Sequence, residues 1–287
     1  MRVAEIGIIG GSGLYSMPGL ANVEHVTLET PFGAPSDAYV VGELGGRTLA
    51  FLPRHGVGHR LTPSEVPSRA NLHGFKQLGV KYLVAVSAVG SLREEYVPGQ
   101  LVVPDQLFDR TKGIRPASFF GEGIVAHVPF DRPFDATLSG MLHTAAQTSG
   151  ATVHAGGTYV CMEGPQFSTL AESEENRRAG FDLIGMTALP EAKLAREAEI
   201  AYAMLALVTD YDCWRPGHES VTVEMVVQVM HHNAAAAQET IRQLIPLIGN
   251  GFDSPAHHAL ANAIMTAPGA IPAVKRAQVE LLVKKYL

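Results

Sequence analysis

The sequence predicts an α/β protein: a single domain with a mixed central β-sheet flanked by helices. Short apolar, β-branched runs such as residues 5–9 alternate along the chain with longer segments of helical periodicity. Gly and Pro are spread through the 287 residues rather than clustered, so no low-complexity linker divides them. Several of the apolar runs end in small or polar residues, which places candidate site residues at strand ends.

The N-terminal part shows the clearest strand and turn signals. Residues 5–9 form a strand that breaks at the glycine-rich residues 10–13. Residues 38–43 and 47–52 flank Leu-Gly-Gly and predict a hairpin. Ser64 is the predicted cap of a helix over residues 65–78, with Pro67 in its first turn.

The remaining elements continue the alternation of strands and helices. Further strands are predicted over residues 82–86, 101–103, 158–162, 183–186 and 203–208. Further helices are predicted over residues 136–148, 169–179, 190–200, 222–247, 257–265 and 273–285. We therefore expect one main domain over residues 1–250 and a C-terminal helical extension, residues 251–287, packed on it.

Composition limits the class of partner. The chain is 46% hydrophobic and 17% charged, with a formal net charge of −6, whereas binding to a nucleic-acid backbone needs a basic stripe. No apolar stretch is long enough to span a bilayer, and the N-terminus lacks a signal-peptide pattern. Cys161 and Cys213 are too few for a disulfide framework and lack metal-ligand spacing. We expect a soluble, cytoplasmic protein without a bound metal.

Three segments carry groups suited to an anion. Ser12 lies in a glycine-rich turn after the first strand, where backbone N–H groups converge. Arg54 and His55 follow the hairpin, and the Arg fork suits bidentate contact with phosphate. Ser87 and Ala88 end another strand. Each segment alone also fits a plain tight turn, a surface salt bridge or a packed small-residue turn.

The glycine pattern excludes two common nucleotide sites. The segment after residue 10 lacks the third glycine of a dinucleotide fingerprint, and no Gly-Lys-Ser/Thr follows it. A nicotinamide oxidoreductase is therefore the less favoured interpretation, and a non-catalytic nucleoside binder stays open as another.

Two later segments suit a planar base and a sugar. Glu163 stands at a strand end beside a Gly-Pro turn, and Phe167 could stack on a base, although a core Phe and a solvated Glu fit equally well. Met186 and Thr187 follow the next strand, where a Met more often fills the core than contacts a ligand.

Asp210 and Asp212 end a strongly apolar strand. If the chain stays extended there, alternation places both carboxylates on one face. Adenine presents an N7 acceptor beside an N6 amino donor, whereas 6-oxopurines present two acceptors. An ionised Asp accepts from the amino group, and a second Asp with a raised pKa donates to N7. The pair therefore favours an aminopurine, with loop capping or a metal carboxylate pair as alternatives.

In this order, the segments resemble the trimeric purine nucleoside phosphorylases. The resemblance covers about residues 5–250 and rests on residues 10–13, 30–33, 54–56, 90–94, 163–165, 186–187 and 209–214. Its most specific part is Asp-Tyr-Asp-Cys-Trp at residues 210–214, where the 6-oxopurine branch typically has Asn. The last 35 or so residues do not share the family pattern.

The resemblance implies a site for each part of a nucleoside and for phosphate. For phosphate it implies Ser12, Arg54, His55, Ser87, Ala88 and Thr187. For the base it implies Phe167, Ser168, Asp210 and Asp212. For the sugar and its 5′ substituent it implies Met186, Thr187, Val223, Val226 and, from a neighbouring subunit, His127.

The implied activity is phosphorolysis of 5′-methylthioadenosine, since the apolar Val223 and Val226 suit a methylthio group better than a hydroxyl. Asp210, Arg54 and His55 would be the catalytic residues, with inorganic phosphate as co-substrate and neither cofactor nor metal. The expected assembly is a homotrimer or a dimer of trimers. A phosphorylase of inosine or methylthioinosine is the alternative within the family.

Overall fold

One mixed sheet forms the centre of the molecule. The computed structural model describes residues 2–14, 16–216 and 222–287; the side chains of residues 12, 225, 226, 228 and 230–232 lie outside that description. Within these ranges the sheet has eleven strands. They are β1 (Ile6–Gly10), β2 (Ala21–Val26), β3 (Tyr39–Leu44), β4 (Arg47–Pro53), β5 (Tyr82–Ser91), β6 (Leu101–Val103), β7 (Gln106–Arg110), β8 (Val153–Ala155), β9 (Thr158–Met162), β10 (Leu183–Gly185) and β11 (Ala201–Asp210).

Helices cover the faces of this sheet. They are α1 (Ser68–Gln77), α2 (Ala136–Thr148), α3 (Leu170–Arg178), α4 (Ala188–Glu197), α5 (Val223–Ile248) and α6 (Ala273–Val283), with short 3₁₀ turns at Ser12–Leu14, Pro255–His258 and Pro268–Ala270. The predicted fold class, an α/β domain with a mixed sheet, is confirmed.

The carboxyl ends of β1, β4, β5 and β11 lie at the same end of the sheet. The order is β2-β3-β4-β1-β5-β10-β9-β7, and β11 pairs with β5 and β6 while β8 pairs with β6. Strand β1 is parallel to β4 and β5, and β5 is parallel to β11. Strand β10 is antiparallel to β5 and pairs only with its end, Leu183 opposite Ser91 and Ile184 opposite Gly90. Met186 and Thr187, which follow β10, therefore lie beside the middle of β5.

Apolar side chains on both faces of the sheet explain why the central strands read as continuous hydrophobic runs. Along β1, Ile6 and Ile8 belong to the core beneath α2 and α5, whereas Ile9 belongs to the core beneath α1 and α4. All five residues of β1 and all ten of β11 are buried. This two-sided burial fixes the strand ends on which the site is built.

Several predicted boundaries differ from the structure. The helix predicted from Ser64 begins at Ser68 with Pro67 as its N-cap, because the Ser64 hydroxyl donates a hydrogen bond to Glu163 instead of capping the helix. The helix predicted over residues 257–265 is a 3₁₀ turn, Pro255–His258, followed by turns. Strands β2, β7 and β8 were not predicted.

The C-terminal residues pack on the same core. Leu260, Val279 and Leu282 are buried in the cluster that contains Ile9. The buried Glu199 accepts a hydrogen bond from the Leu260 backbone N–H at 3.1 Å and pairs with Lys285 at 2.6 Å.

Candidate active site

A small, narrow cavity opens near the carboxyl ends of the strands. It is lined by Arg54, His55, Ser68, Arg115, Met186, Thr187 and Glu191, among others. Ser12 begins the 3₁₀ turn directly after β1, and the Arg54 backbone N–H donates to Gly10 at 2.9 Å. The first two predicted anion segments therefore adjoin each other.

The third anion segment joins them through a pair of hydroxyls. The Ser87 and Thr187 hydroxyl oxygens lie 2.8 Å apart, and one donates to the other. Thr187 reaches this position because β10 runs antiparallel to the end of β5. Its backbone N–H donates to the Tyr159 hydroxyl at 3.3 Å, which fixes the turn. Ala88, half-buried, follows Ser87 on β5.

Arg54 is buried, with 3% of its surface exposed, and most of its donors are occupied. Its Nε and Nη2 donate to the two carboxylate oxygens of Glu191 at 2.8 and 3.0 Å. Nη1 donates to the Val86 carbonyl and Nη2 to the Ile9 carbonyl. A guanidinium has five N–H donors, so among the described residues one on Nη1 has no protein partner. The Arg54 guanidinium, which was expected to bind phosphate through two donors, binds Glu191 in that way instead. One Nη1–H remains for an anion.

Arg115, the second buried arginine at the cavity, has a different role. Its Nε donates to Glu163 at 2.7 Å, and Nη1 donates to the carbonyls of Met186 and Leu189, each at 2.7 Å. Nη2 donates to the carbonyls of Met162 and Glu163. All five donors are used, so Arg115 and Glu163 tie the turn after β9 to the turn after β10. The sequence did not identify Arg115, Glu191 or Tyr159.

His55 presents a ring-nitrogen acceptor to the site. Its Nδ1 lies 2.9 Å from the Leu61 carbonyl, which can only accept, so Nδ1 carries the proton. Burial, together with the positive charge of Arg54, lowers the pKa of His55 to about 4. The neutral ring therefore leaves Nε2 unprotonated at neutral pH. His59 stacks on the ring with 4.3 Å between centroids.

Asp210 stands at the other end of the site. It is 9% exposed and pairs with Gly90 of β5. Thr209 donates its hydroxyl to Oδ2, and the Asp212 backbone N–H donates to Oδ1, each at 2.7 Å. Burial nonetheless raises the pKa of Asp210 to about 6. This carboxyl can therefore be protonated near neutral pH and serve as a proton donor.

Asp212 joins Asp210, but not by strand alternation. Strand β11 ends at Asp210, and Asp212 has φ of 52°, so the predicted extended geometry is wrong. A turn that Asp tolerates brings the two acids together instead. Among the described residues its Oδ2 is buried with no partner at hydrogen-bonding geometry. Burial raises the pKa of Asp212 and outweighs the opposite effect of the nearby Ser168 and Ser173 hydroxyls. An unpaired buried carboxylate oxygen suits an amino-group donor.

The two ends of the site lie along one strand. Ser87, beside Thr187, and Gly90, beside Asp210, are three residues apart on β5, or about 10 Å at the usual rise of a strand. A Cβ on residue 90 would lie 2.9 Å from Asp210 Oδ1, so glycine lets the carboxylate lie against the strand. The Ser87–Thr187 hydroxyl pair and the Asp210–Asp212 pair thus both lie against β5.

The other predicted residues are placed less closely together. Met186 lines the cavity, and Ser168 approaches Cys213, whose thiol donates to its carbonyl at 3.5 Å. Phe167 is 43% exposed and Val223 is 68% exposed at the start of α5. The side chains of Ser12 and Val226 lie outside the described part. His127 is exposed, and its backbone N–H donates to Ala263 at 2.9 Å.

Fold and site together define an α/β protein with an arginine-lined cavity and a pair of buried acids at the ends of central strands. The model of the phosphorylase superfamily matches residues 5–246, and the chain belongs to that superfamily as an enzyme of the purine nucleoside phosphorylase type.

Individual relatives resemble the chain over nearly its full length. The S-methyl-5′-thioadenosine phosphorylase of Chloroflexus aurantiacus is 63% identical, over 100% of this chain and 99% of the relative. The protein of the same name from Synechocystis is 58% identical, over 99% and 88%.

Solved structures of methylthioadenosine phosphorylases are also similar to this chain. A methylthioadenosine phosphorylase from an antarctic soil metagenomic library is 51% identical with a TM-score of 0.94, covering 98% of this chain and 99% of that one. A Schistosoma mansoni methylthioadenosine phosphorylase in complex with adenine is 38% identical with a TM-score of 0.81, covering 87% and 93%.

In residues 2–14, 16–216 and 222–287, no helix is long and apolar enough to cross a bilayer. The same part of the chain holds no group of three or more His, Cys, Asp or Glu side chains arranged for a metal ion.

Proposed function

We propose that the chain catalyses phosphorolysis of 5′-methylthioadenosine to adenine and 5-methylthioribose 1-phosphate. The observation that carries the proposal is that the Ser87–Thr187 hydroxyl pair and the Asp210–Asp212 pair both lie against β5, at positions three residues apart along this strand. The relatives named above support this substrate, and purine and methionine salvage is the corresponding cellular role.

In the proposed reaction, inorganic phosphate is a co-substrate and no cofactor takes part. Phosphate sits among the Arg54 Nη1–H, the two hydroxyls and backbone N–H groups near Ser12 and Ala88. The C1′–N9 bond breaks with its electron pair going to the base, and a phosphate oxygen bonds to C1′. Phosphate also stabilises the oxocarbenium-like charge at C1′ as the bond breaks.

Asp210 activates the leaving group. Its carboxyl donates a proton to N7 as the bond to C1′ breaks, which lets adenine leave as a neutral molecule. Asp212 Oδ2 accepts from the exocyclic amino group, and the same oxygen would repel the O6 of a 6-oxopurine. Phe167 and Ser168 border the base in this arrangement.

The sugar side is completed by Met186 beneath the ring and by Val223 and Val226 at the 5′ substituent. Val223 is largely exposed in the single chain, so another surface must cover the 5′ group. We propose a cytoplasmic homotrimer in which His127 of one subunit reaches a neighbour's site; its exposed side chain is compatible with that role. A pair of trimers stacked together is a larger form of the same assembly.

We further propose that residues 1–250 are the phosphorylase domain and residues 251–287 an extension packed on it. The burial of Leu260 and Val279 against the main core supports this division.

Purified protein tests the function directly. With methylthioadenosine and phosphate it should release free adenine, followed by ultraviolet absorbance or chromatography, and release should depend on phosphate. No adenine under these conditions would end the proposal.

A further inference from the structure

We propose that Glu191, supported by Tyr202, is the positioning residue of the phosphate site: it fixes the Arg54 guanidinium so that a single Nη1–H faces the anion. This inference rests on the proposed phosphorolysis. Glu191 lies on α4, 137 residues from Arg54, and lines the cavity beside it.

The three side chains form a closed, buried group. Arg54, Glu191 and Tyr202 are each no more than 3% exposed. Glu191 Oε2 accepts from Arg54 Nε at 2.8 Å; Oε1 accepts from Arg54 Nη2 at 3.0 Å and from the Tyr202 hydroxyl at 2.8 Å. Both carboxylate oxygens are thereby engaged, and the carboxylate plane sets the guanidinium plane.

The backbone completes the orientation. The carbonyls of Ile9, near the end of β1, and Val86, in β5, accept from Nη2 and Nη1. Three elements thus hold the guanidinium, and the remaining Nη1–H is the one donor without a protein partner in the described part. At Arg115, by contrast, protein groups occupy all five donors.

The pairing also cancels charge at the phosphate site. Burial by itself would lower the pKa of Arg54, but the adjacent carboxylate of Glu191 outweighs that effect and the pKa is raised. His55 adds no positive charge at neutral pH. The anion is therefore held by directed hydrogen bonds rather than by net charge, and misorienting one donor has a large effect.

Glu191→Gln tests the inference, with Glu197→Gln as the matched control. Gln presents an N–H₂ group to one Arg54 donor, so the guanidinium must turn. Glu197 is a buried carboxylate of the same helix that accepts from Ser118 and the Phe119 N–H, away from the cavity. We expect KM for phosphate to rise about 10-fold or more in Glu191→Gln, with KM for methylthioadenosine changed less than about 2-fold.

Tyr202→Phe is the milder variant, because it removes one hydrogen bond and leaves the ion pair intact. It should raise KM for phosphate about 3-fold at unchanged KM for the nucleoside. Glu197→Gln should lower the melting temperature without moving either KM.

The outcomes separate this inference from the function. If the unaltered protein releases no adenine, the proposed function fails. If it is active but folded Glu191→Gln and Tyr202→Phe keep the phosphate KM of Glu197→Gln, the positioning role fails and the function stands. Should Glu191→Gln not fold, Tyr202→Phe decides alone.

Discussion

The hydroxyl oxygens of Ser87 and Thr187 lie 2.8 Å apart although 100 residues separate them in the chain. The contact exists because β10 pairs antiparallel with the end of β5, so that the residue after Met186 returns to the middle of the longer strand. The Ser87 hydroxyl also donates to the Ala88 carbonyl at 3.2 Å, so the pair offers a donor to an anion when this longer hydrogen bond is exchanged for one to the anion. The Arg54 Nη1–H that has no partner among the described residues lies in the same site.

Ser87→Ala should weaken phosphate binding selectively. Losing one hydrogen bond to a charged group costs about 1.5–3 kcal/mol, so KM for phosphate should rise at least about 10-fold while KM for the nucleoside changes little. Initial-rate kinetics with each substrate varied would measure both constants. Ser139→Ala is the control, because its buried hydroxyl has no partner among the described residues; equal effects of the two variants would contradict the assignment.

Asp212→Asn should change the base preference. The amide can donate to O6 of a 6-oxopurine, whereas the carboxylate oxygen can only accept from an amino group. We expect the ratio of kcat/KM for methylthioadenosine over methylthioinosine to fall by about 5-fold or more, which corresponds to about 1–3 kcal/mol. Asp253→Asn, at an exposed carboxylate, should leave the ratio unchanged. An unaltered ratio in Asp212→Asn would refute the base assignment.

The pH dependence should report the titration of Asp210. Because its pKa is raised to about 6, mainly by burial, the proton-donating form predominates below that pH and declines above it. With phosphate saturating at each pH, kcat/KM for methylthioadenosine should be flat below about pH 6 and fall tenfold per unit above it.

The same shift has a consequence for stability. The pKa of Asp210 is higher in the folded chain than the ordinary value of 3.8, so its protonated form favours folding. That contribution is complete below pH 3.8 and is lost as the pH rises through about 6. Asp210→Asn should abolish both the loss of stability and the loss of kcat/KM as the pH rises through about 6. It should also lower kcat by at least about 100-fold. A pH dependence that persists in Asp210→Asn would come from another titrating group and would contradict this assignment.

His55 should remain neutral with Nδ1 protonated. Its lowered pKa of about 4 and the Leu61 carbonyl predict that Nε2 is an acceptor from pH 5.5 upward, able to receive the P–O–H of phosphate. Nitrogen-15 chemical shifts of the imidazole measure this state directly. The shift of Nε2 should stay in the unprotonated range between pH 5.5 and 8, and protonation near pH 6.5 would contradict it.

Glu199 should anchor the C-terminal extension. Glu199 accepts a hydrogen bond from the Leu260 backbone N–H and forms an ion pair with Lys285. Glu199→Gln removes the buried charge opposite Lys285 and should lower the free energy of unfolding by about 1–3 kcal/mol, with earlier proteolysis after residue 250. Glu239→Gln, a surface carboxylate on α5, is the control for the loss of charge. Equal stability of the two variants would remove the anchoring role.

The parts of the fold that the sequence predicts well are those with strong local signals. Helix α2 begins after Asp135, whose side chain caps it, and both ends match the prediction. Strand β9 is likewise matched, and β1, β5 and β11 are recognised from apolar runs that reflect burial on both faces. Strand β2 is exposed along most of its length, so no apolar pattern marks it.

The sequence indicates the candidate site residues near strand ends, but not the residues that position them. Asp210 ends β11 and Thr187 lies just after β10, as expected, whereas Ser87, expected at a strand end, lies in the middle of β5, which continues to Ser91. Glu191, by contrast, is an acid in a helix, and nothing local indicates that it pairs with Arg54. The turn at Asp212 was also missed, because its positive φ depends on the tertiary setting rather than on alternation.

A kinetic panel tests the central claim most directly. Phosphate-dependent turnover would be measured for methylthioadenosine, adenosine, inosine and methylthioinosine with the same preparation. The structure predicts that the two aminopurine nucleosides are cleaved far better than the two 6-oxopurines, with methylthioadenosine the best substrate and no turnover without phosphate. Preferred cleavage of inosine or methylthioinosine, or adenine release independent of phosphate, would contradict it.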